Sequence, residues 1–163
     1  MALAVAAAAA CGCQSTATPK PEKLVSTLRL HVGARRDGAK ASLPVPVYRQ
    51  NPVIINVEKE PFLTEGNVAE AKVIDVVGGF ALRIRFDGAG TSLLEQCTAA
   101  NRGRKIAVFS QFGKEIKDAR WLAGPIITRR INDGVFTFTP DSTREEAEEI
   151  ALGLNNVAKK VQW

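Results

Sequence analysis

Hydrophobic and polar residues alternate through much of the chain, with the two-residue period of strands that bury one face. Between positions 80 and 87, Leu82, Ile84 and Phe86 alternate with charged residues, which predicts a half-buried antiparallel strand. Similar runs predict strands in these stretches: 24–32, 53–58, 72–77, 105–110 and 134–139. The run 42–49 also alternates, but Pro44 and Pro46 lack an N–H group, so we expect an edge strand or an extended segment there.

The helical period is clearest in the last third of the chain. An apolar residue recurs there every three or four positions, which predicts one buried helix face: Ala147, Ile150, Ala151 and Leu154. Thr143 and Glu146 have the spacing of a capping box, in which each side chain bonds the backbone N–H of the other at the start of a helix.

A second helix is predicted between positions 90 and 103. Ser92 and Glu95 match the spacing of a capping box, and Gly103 stands where helices commonly end. Four residues are expected on its apolar side: Leu93, Leu94, Cys97 and Ala100. On that basis Cys97 is expected to be a small buried hydrophobe.

Turn signals complete the predicted architecture. Asp37-Gly38 is a strong hairpin signal between the first two strands, and positions 111–127 form the least regular part, expected to be a loop. The sum predicts an α+β fold, a mainly antiparallel sheet with two main helices packed on one face as a single helical layer. We expect one domain over 24–158, in which 24–60 supplies N-terminal strands.

Charge narrows the possible partners. The chain has 22 Lys and Arg against 17 Asp and Glu, a net charge of +5. A nucleic-acid surface would need clustered basic residues with interleaved aromatics, which the stretch 100–105 lacks even with Arg83 and Arg85 beside it. We therefore expect no nucleic-acid partner. A mildly basic protein fits better near an anionic membrane surface.

The chain begins with an alanine-rich run, 2–10, followed by Cys11 and Cys13. Small residues directly before Cys11 resemble a bacterial lipobox, whose cysteine is lipidated and becomes the mature N-terminus, although no Lys or Arg precedes the run. We expect 1–10 to be a signal-like segment, 11–23 a flexible tether and Cys11 a lipid anchor. Two alternatives remain open: a low-complexity terminus with incidental cysteines, and a metal or redox pair.

The chain offers few residues for catalysis. Its one histidine, His31, lies in a predicted strand, and the glycine-containing stretch 87–92 is better explained as a turn into a capped helix than as an anion site. In the irregular stretch 110–130, three polar residues are available to an enzyme site: Glu115, Asp118 and Arg120. No catalytic fingerprint appears, so we expect no catalytic residue, no cofactor, no metal and no enzyme activity.

Several short motifs follow one another in an order known from one family. They are Leu63-Thr64, Phe86 to Gly90, Thr98 to Arg104, Ile106-Ala107, Pro125 to Ile127 and Glu145 to Ala147. The ordered set, over about 61–156, resembles the head subdomain of the first periplasmic domain of SecD, a membrane subunit of the bacterial protein-export machinery. The stretch 109–124 departs from the tight turn of that family, and residues 24–60 match nothing in it.

The resemblance implies a binding domain with affinity for extended polypeptide or for the export machinery. SecD couples export to the proton gradient through membrane helices that this sequence lacks, so no motor activity is expected. An exposed sheet edge would bind an exported chain by strand addition. We expect a lipid-anchored protein on the periplasmic side of the bacterial envelope. Two alternatives stay open: an envelope enzyme or enzyme accessory with its site in 110–130, and a structural lipoprotein that spaces or crosslinks envelope layers.

Overall fold

The computed structural model describes residues 24–35 and 41–161. Their elements, in chain order, are β1 (Arg29–Val32), β2 (Ser42–Val47), β3 (Val53–Glu58), β4 (Leu63–Thr64), β5 (Val68–Val76), β6 (Gly79–Phe86), α1 (Gly88–Ala100), β7 (Ile106–Phe112), β8 (Asp118–Ala123), β9 (Val135–Phe138) and α2 (Arg144–Val161). Short 3₁₀ turns, Glu65–Asn67 and Lys114–Ile116, precede β5 and β8. The predicted α+β class is confirmed.

The described strands form three antiparallel sheets, and the prediction of one sheet was wrong. Their orders are β4-β1-β7-β8, β2-β3 and β5-β6-β9. The β2–β3 ribbon is separate because its inner residues have a small core of their own. Val45, Val47, Ile55 and Val57 cluster there with Ala107, and Trp121 packs against them.

The main core lies between α2 and the two larger sheets. Leu28, Leu82, Ile150 and Leu154 are all fully buried in it. Burying a side chain of this size contributes about 1.5–3 kcal/mol relative to leaving it exposed. The predicted apolar face of α2 is confirmed, because the same residues that recur at helical spacing are the ones that fill this core.

The capping box at the start of α2 is also confirmed. The Glu146 backbone N–H donates to Thr143 Oγ1 at 3.2 Å, and the Thr143 backbone N–H donates to Glu146 Oε2 at 2.9 Å. The two bonds satisfy donors that the first turn of a helix leaves without intrahelical partners.

The start of α1 was predicted wrongly. The helix begins at Gly88, and its cap is Asp87, whose Oδ1 accepts the Gly90 N–H at 2.7 Å. Asp87 is as good a cap as serine and comes earlier in the chain, so Ser92 falls inside the helix. Its hydroxyl donates to the Gly88 carbonyl instead.

The apolar face predicted for α1 is only partly buried. Leu94 is fully buried, but Leu93 keeps 41% of its surface exposed, Cys97 is half-buried and Ala100 is exposed. Thr98, and not Cys97, lies on the buried side of the helix. The Thr98 hydroxyl can be buried because it donates to the Leu94 carbonyl. The prediction that Cys97 is buried was therefore wrong.

Two connections also differ from the prediction. The first two strands do not form a hairpin, because β1 is flanked by β4 and β7 and has no edge left for β2. The Asp37-Gly38 turn itself lies outside the described residues. The predicted loop 111–127 contains the end of β7 and all of β8, since a short 3₁₀ turn allows the chain to return antiparallel to β7.

Candidate functional site

Open sheet edges are the first places to search for a binding site, because their N–H and C=O groups can pair with an extended chain. The edge of β2 is closed to most such pairing. The Lys59 N–H donates to the Ala41 carbonyl at 3.1 Å. Because backbone groups point alternately toward β3 and away from it, the N–H and C=O positions of residues 42, 44 and 46 lie on the outer edge. Two of these are Pro44 and Pro46, which have no N–H to offer.

The edge of β5 is capped at one residue, Ala71, by a side chain. Asn155 on α2 accepts the Ala71 N–H through Oδ1 and donates through Nδ2 to the Ala71 carbonyl, both at 2.8 Å. The amide of Asn155 thus takes the place that a neighbouring strand would occupy. This pair of bonds also fixes α2 along β5.

The outer edges of β3 and β8 are partly occupied. The Ala34 N–H donates to the Asn56 carbonyl at 2.6 Å, and the Asp141 N–H donates to the Leu122 carbonyl at 2.7 Å. A register shift between Val108 and Phe109 in the β7–β8 ladder twists the β8 edge, a device that disfavours further pairing.

The edge of β9 also leaves backbone groups available for pairing. The Phe86 N–H donates to the Gly134 carbonyl at 2.9 Å, so alternate residues from Gly134 onward face β6, and Val135 and Thr137 face away from it. The Val135 N–H is taken by Asp133 Oδ1 at 3.1 Å. No hydrogen bond within the described ranges reaches the outward N–H or C=O of exposed Thr137.

The local sequence explains why β9 begins where it does. Gly134 has a φ of 68°, in the left-handed region, and a Cβ at this position would collide with Oγ1 of Thr91. Beyond it, Phe136 and Phe138 are buried with ring centroids 5.5 Å apart, which anchors one face of the strand in the core. The edge of β9 and its outer face, which carries exposed Thr137, are left for contact.

A second extended segment faces this edge across a cleft. The segment 125–127 pairs with the chain around the start of β7: the Ile106 N–H donates to the Pro125 carbonyl at 2.9 Å and the Ile127 N–H to the Arg104 carbonyl at 2.8 Å. By alternation, the backbone groups of Ile126 point away from that pairing. The cleft has a volume of about 250 Å³, and it is bounded by 125–131 on one side and by β9 on the other.

A buried threonine holds the far wall of the cleft in place. Thr98 Oγ1 accepts the Ile131 N–H at 2.9 Å and donates to the Leu94 carbonyl of α1 at 2.8 Å. Thr98 is fully buried and lines the cleft floor. Ile126, by contrast, is 56% exposed and offers an apolar contact to anything that enters.

The outer face of the β5–β6–β9 sheet carries charge beside the cleft. Register places Arg83 opposite Thr137 and Arg85 opposite Val135. Glu70 contacts Lys72 at 3.0 Å and Arg85 at 3.2 Å, and these hydrogen bonds, first that of Lys72 and then that of Arg85, lower the pKa of Glu70. That carboxylate is therefore ionised and already paired.

A larger groove lies near Phe62, but its polar residues have structural roles. Two adjoining cavities of about 490 and 420 Å³ share Val32, Glu58 and Phe62 in their walls. Below them Arg104 pairs with Glu58 at 2.9 Å and also donates to the Gly33 carbonyl and to Asn101. The ion pair ties β3 to the end of α1.

His31 belongs to the same structural group. It is 8% exposed, its Nδ1 lies 2.9 Å from the Glu58 carbonyl, and its ring meets that of Trp121 edge-on. Burial lowers the pKa of His31, so the ring is neutral at pH 7. This agrees with the structural role expected from the sequence.

The three residues of the alternative enzyme site do not come together. Glu115 pairs with Lys117 at 2.6 Å, and both side chains are exposed. Asp118 is also exposed, and Arg120 forms a bidentate pair with Glu146 at 2.8 and 3.0 Å. Since these residues have separate partners, the structure gives no support to a site in 110–130.

The remaining expectations from the sequence concern Cys11, the stretch 87–92, metal ligands and membrane-spanning helices. Cys11 lies outside the described residues. The start of α1, in the stretch 87–92, is capped by Asp87 itself. Within 24–35 and 41–161 no cluster of metal-ligating side chains is found, and neither helix there is long and apolar enough to cross a bilayer.

Comparison with known proteins supplies independent evidence on the family. A family model described as SecDF, P1 head subdomain, matches residues 42–158. The protein translocase subunit SecDF of Thermus thermophilus is 31% identical over 97 residues, or 59% of this chain. The chain spans only 12% of the length of that relative. The family match starts before position 61, so β2 and β3 lie within it, contrary to the expectation that 24–60 falls outside.

Two solved structures share the fold at 19% sequence identity. One is SecDF in a super-membrane-facing form, with a TM-score of 0.57 over 80% of this chain and 19% of that chain. The other describes SecDF as a membrane component that enhances protein export, with a TM-score of 0.56 over 82% of this chain and 63% of that chain.

Proposed function

Because the chain belongs to the SecDF P1 head subdomain family, we propose that it serves protein export as a domain that holds extended polypeptide, without motor activity of its own. The observation that carries this proposal is the open edge of β9, where Thr137 directs an unpaired N–H and C=O outward beside the cleft. An extended chain entering there pairs its backbone with Thr137 and packs side chains against Ile126.

Strand addition suits a partner whose sequence varies. The backbone hydrogen bonds are the same for every sequence, while the cleft sets only a general demand on side chains. An unfolded exported chain presents many such extended segments. The relative from Thermus thermophilus is named a translocase subunit, which agrees with a role of this kind.

One substitution tests the outward N–H of Thr137 without disturbing the other hydrogen bonds of β9. Thr137→Pro removes the outward N–H but no bond of the β6–β9 ladder, since that ladder uses the residues on either side. Thr137→Val keeps the N–H and is the matched control. The probe is a short dye-labelled peptide in which valine alternates with serine, and binding is measured by fluorescence anisotropy.

We expect Thr137→Pro to weaken binding about two- to tenfold, the value of one net hydrogen bond, and Thr137→Val to leave binding unchanged. Equal affinity of the two variants contradicts strand addition at β9. A peptide with N-methyl groups on alternate residues gives a second test without altering the protein. Methylation of the residues whose N–H groups face β9 is expected to weaken binding. Methylation of the intervening residues, whose N–H groups face away, is expected to leave binding unchanged.

We propose that Cys11 anchors the protein to the membrane through lipid, with 1–10 as a signal-like segment, 11–23 as a tether and 24–158 as the single domain. The tether would let the domain work on the periplasmic side of the envelope while its anchor stays in the bilayer. Cys11→Ala followed by cell fractionation tests this. The variant is expected to leave the membrane fraction, and a full-length variant that stays there contradicts the anchor.

We propose no catalytic activity for the domain. The support is the separation of Glu115, Asp118 and Arg120, each engaged or exposed on its own, and the structural use of His31. Partners are therefore expected to leave the domain chemically unchanged, and incubation of the peptide probe with the protein should leave the mass of the probe the same.

A further inference from the structure

The open edge of β9 lies beside two arginines. Arg83 lies directly opposite Thr137 in the β6–β9 register. Arg129 lies on the wall of the cleft that faces β9. Within the described part of the chain, neither Arg83 nor Arg129 forms an ion pair. Their neighbours Arg85 and Arg130 are paired, with Glu70 and Glu95 respectively.

Geometry places these two arginines within reach of an added strand. Neighbouring strands lie about 4.8 Å apart, so a chain added to β9 runs about 10 Å from β6. Thr137 is short, and the long side chain of Arg83 can lean across it to a residue of the added strand. Arg129 lines the other wall of the cleft.

The acidic groups of this region leave a net positive charge beside the edge. Glu70 is shared between Lys72 and Arg85. Asp133 also lines the cleft, but its Oδ1 accepts the Val135 N–H and thereby closes the beginning of the edge. Beside Thr137, Arg83 and Arg129 thus outnumber the one carboxylate of the cleft, that of Asp133.

From this arrangement we infer that the β9 edge selects extended segments with an acidic side chain directed to the outer face, at the position opposite Thr137. The inference rests on the proposed function, because it assumes that a polypeptide adds to this edge. It adds a chemical class to the ligand: acidic extended polypeptide in preference to basic. Charges at the rim of an interface act chiefly on the association rate and on its salt dependence.

An anionic membrane surface is the competing source of negative charge. The cleft favours polypeptide, because lipid headgroups have no row of backbone groups to match the outward N–H and C=O of Thr137. The exposed side chain of Ile126 also suits an apolar side chain of an extended segment.

The test uses three dye-labelled peptides of equal length in which valine alternates with glutamate, serine or lysine. We expect affinity to fall in the order glutamate, serine, lysine. Arg83→Ser and Arg129→Ser should each weaken the glutamate peptide about two- to fivefold and leave the serine peptide unchanged. Arg29→Ser, an exposed arginine on β1 in another sheet, is the control and should change nothing.

The outcomes separate this inference from the proposed function. Equal binding of all three peptides overturns the acidic preference but leaves strand addition intact. Failure of the serine peptide to bind at all contradicts the proposed function itself. Vesicles with phosphatidylserine serve as a further probe: if they bind through Arg83 and Arg129 while the peptides show no charge preference, the surface meets membrane and the inference is wrong. Raising the salt concentration should reduce the glutamate preference.

Discussion

Single side chains decide the shape of the cleft, and Thr98 is the clearest case. Its hydroxyl joins the 125–131 wall to α1 by accepting from Ile131 and donating to Leu94. The sequence around Thr98 predicts an apolar helix face, which gives no sign that a hydroxyl is needed there. Only the tertiary contact with Ile131, more than thirty residues away, reveals it.

Thr98→Val should destabilise the protein because it keeps the shape and removes the hydroxyl. The Ile131 N–H would then lack its acceptor, at a cost of about 1–3 kcal/mol. Urea denaturation measures the change, and Thr98→Ser, which keeps the hydroxyl, is the control. Serine should lose only about 1 kcal/mol for its missing methyl group. Equal losses for the two variants would show that the hydroxyl bond is unimportant.

Glu146 makes stability depend on pH in the acid range. The bidentate bond from Arg120, together with the backbone N–H of Thr143, lowers the pKa of Glu146 below its ordinary value of 4.5. A group whose pKa is lower in the folded state stabilises the protein above its unfolded pKa. That stability is lost as the pH falls through the folded value.

The variant Glu146→Gln should therefore be less stable than the wild type at pH 7 by about 1.5–3 kcal/mol, because a charged hydrogen bond is lost. Its stability should also fall less steeply below pH 4.5, where wild-type Glu146 takes up its proton. Thermal unfolding from pH 3 to 7 checks both effects. Glu148 on the same helix forms no ion pair in the described structure, and Glu148→Gln should keep the steeper wild-type profile.

Among the elements, those with an unbroken pattern could be predicted and those fixed by distant partners could not. The helix α2 and the strand β6 show clean periods, and both lie where the sequence placed them. The stretch 111–127 has no clear period because a register shift leaves an extra residue, Leu122, in β8 and breaks its alternation. The same holds for the candidate site. The strand β9 could be predicted from its alternation, but its free edge could not, because that depends on which strands lie beside it.

Two features protect strand edges of this protein from pairing with another chain: the prolines of β2 and the Asn155 side chain of α2. Prolines at 44 and 46 could be recognised in the sequence, and they do lie on an edge strand. Asn155 could not, because nothing in a helical sequence shows that its amide will bond the backbone of β5. Its spacing from the buried residues of α2 indicates only that it lies near the boundary of the buried face.

Removing the amide of Asn155 should open the β5 edge. Asn155→Ala leaves the N–H and C=O of Ala71 without their partners, and we expect a stability loss of about 1–3 kcal/mol with increased self-association. Chemical denaturation and light scattering measure the two effects. Asn132→Ala, in an exposed loop, is the control. A variant at 155 that behaves like the control at 132 would contradict the capping role.

At the scale of the whole molecule, the three sheets and two helices of the described residues leave an open strand edge beside a cleft. The ribbon β2–β3 is joined to α2 through Arg49, which contacts Asp141 at 3.3 Å and Glu146 at 3.9 Å. The family match covers both the ribbon and α2, so this connection lies within the SecDF P1 head part of the chain.

The central claim is that an extended polypeptide pairs with the backbone of β9 at Thr137. Hydrogen exchange of single amides, followed by NMR on the isotope-labelled protein with and without the alternating valine–serine peptide, tests it most directly. The account predicts that the Thr137 amide exchanges readily in the free protein and becomes protected when peptide is bound, while the Ala119 amide on β8 does not change. Unchanged exchange at Thr137 under saturating peptide would contradict the account.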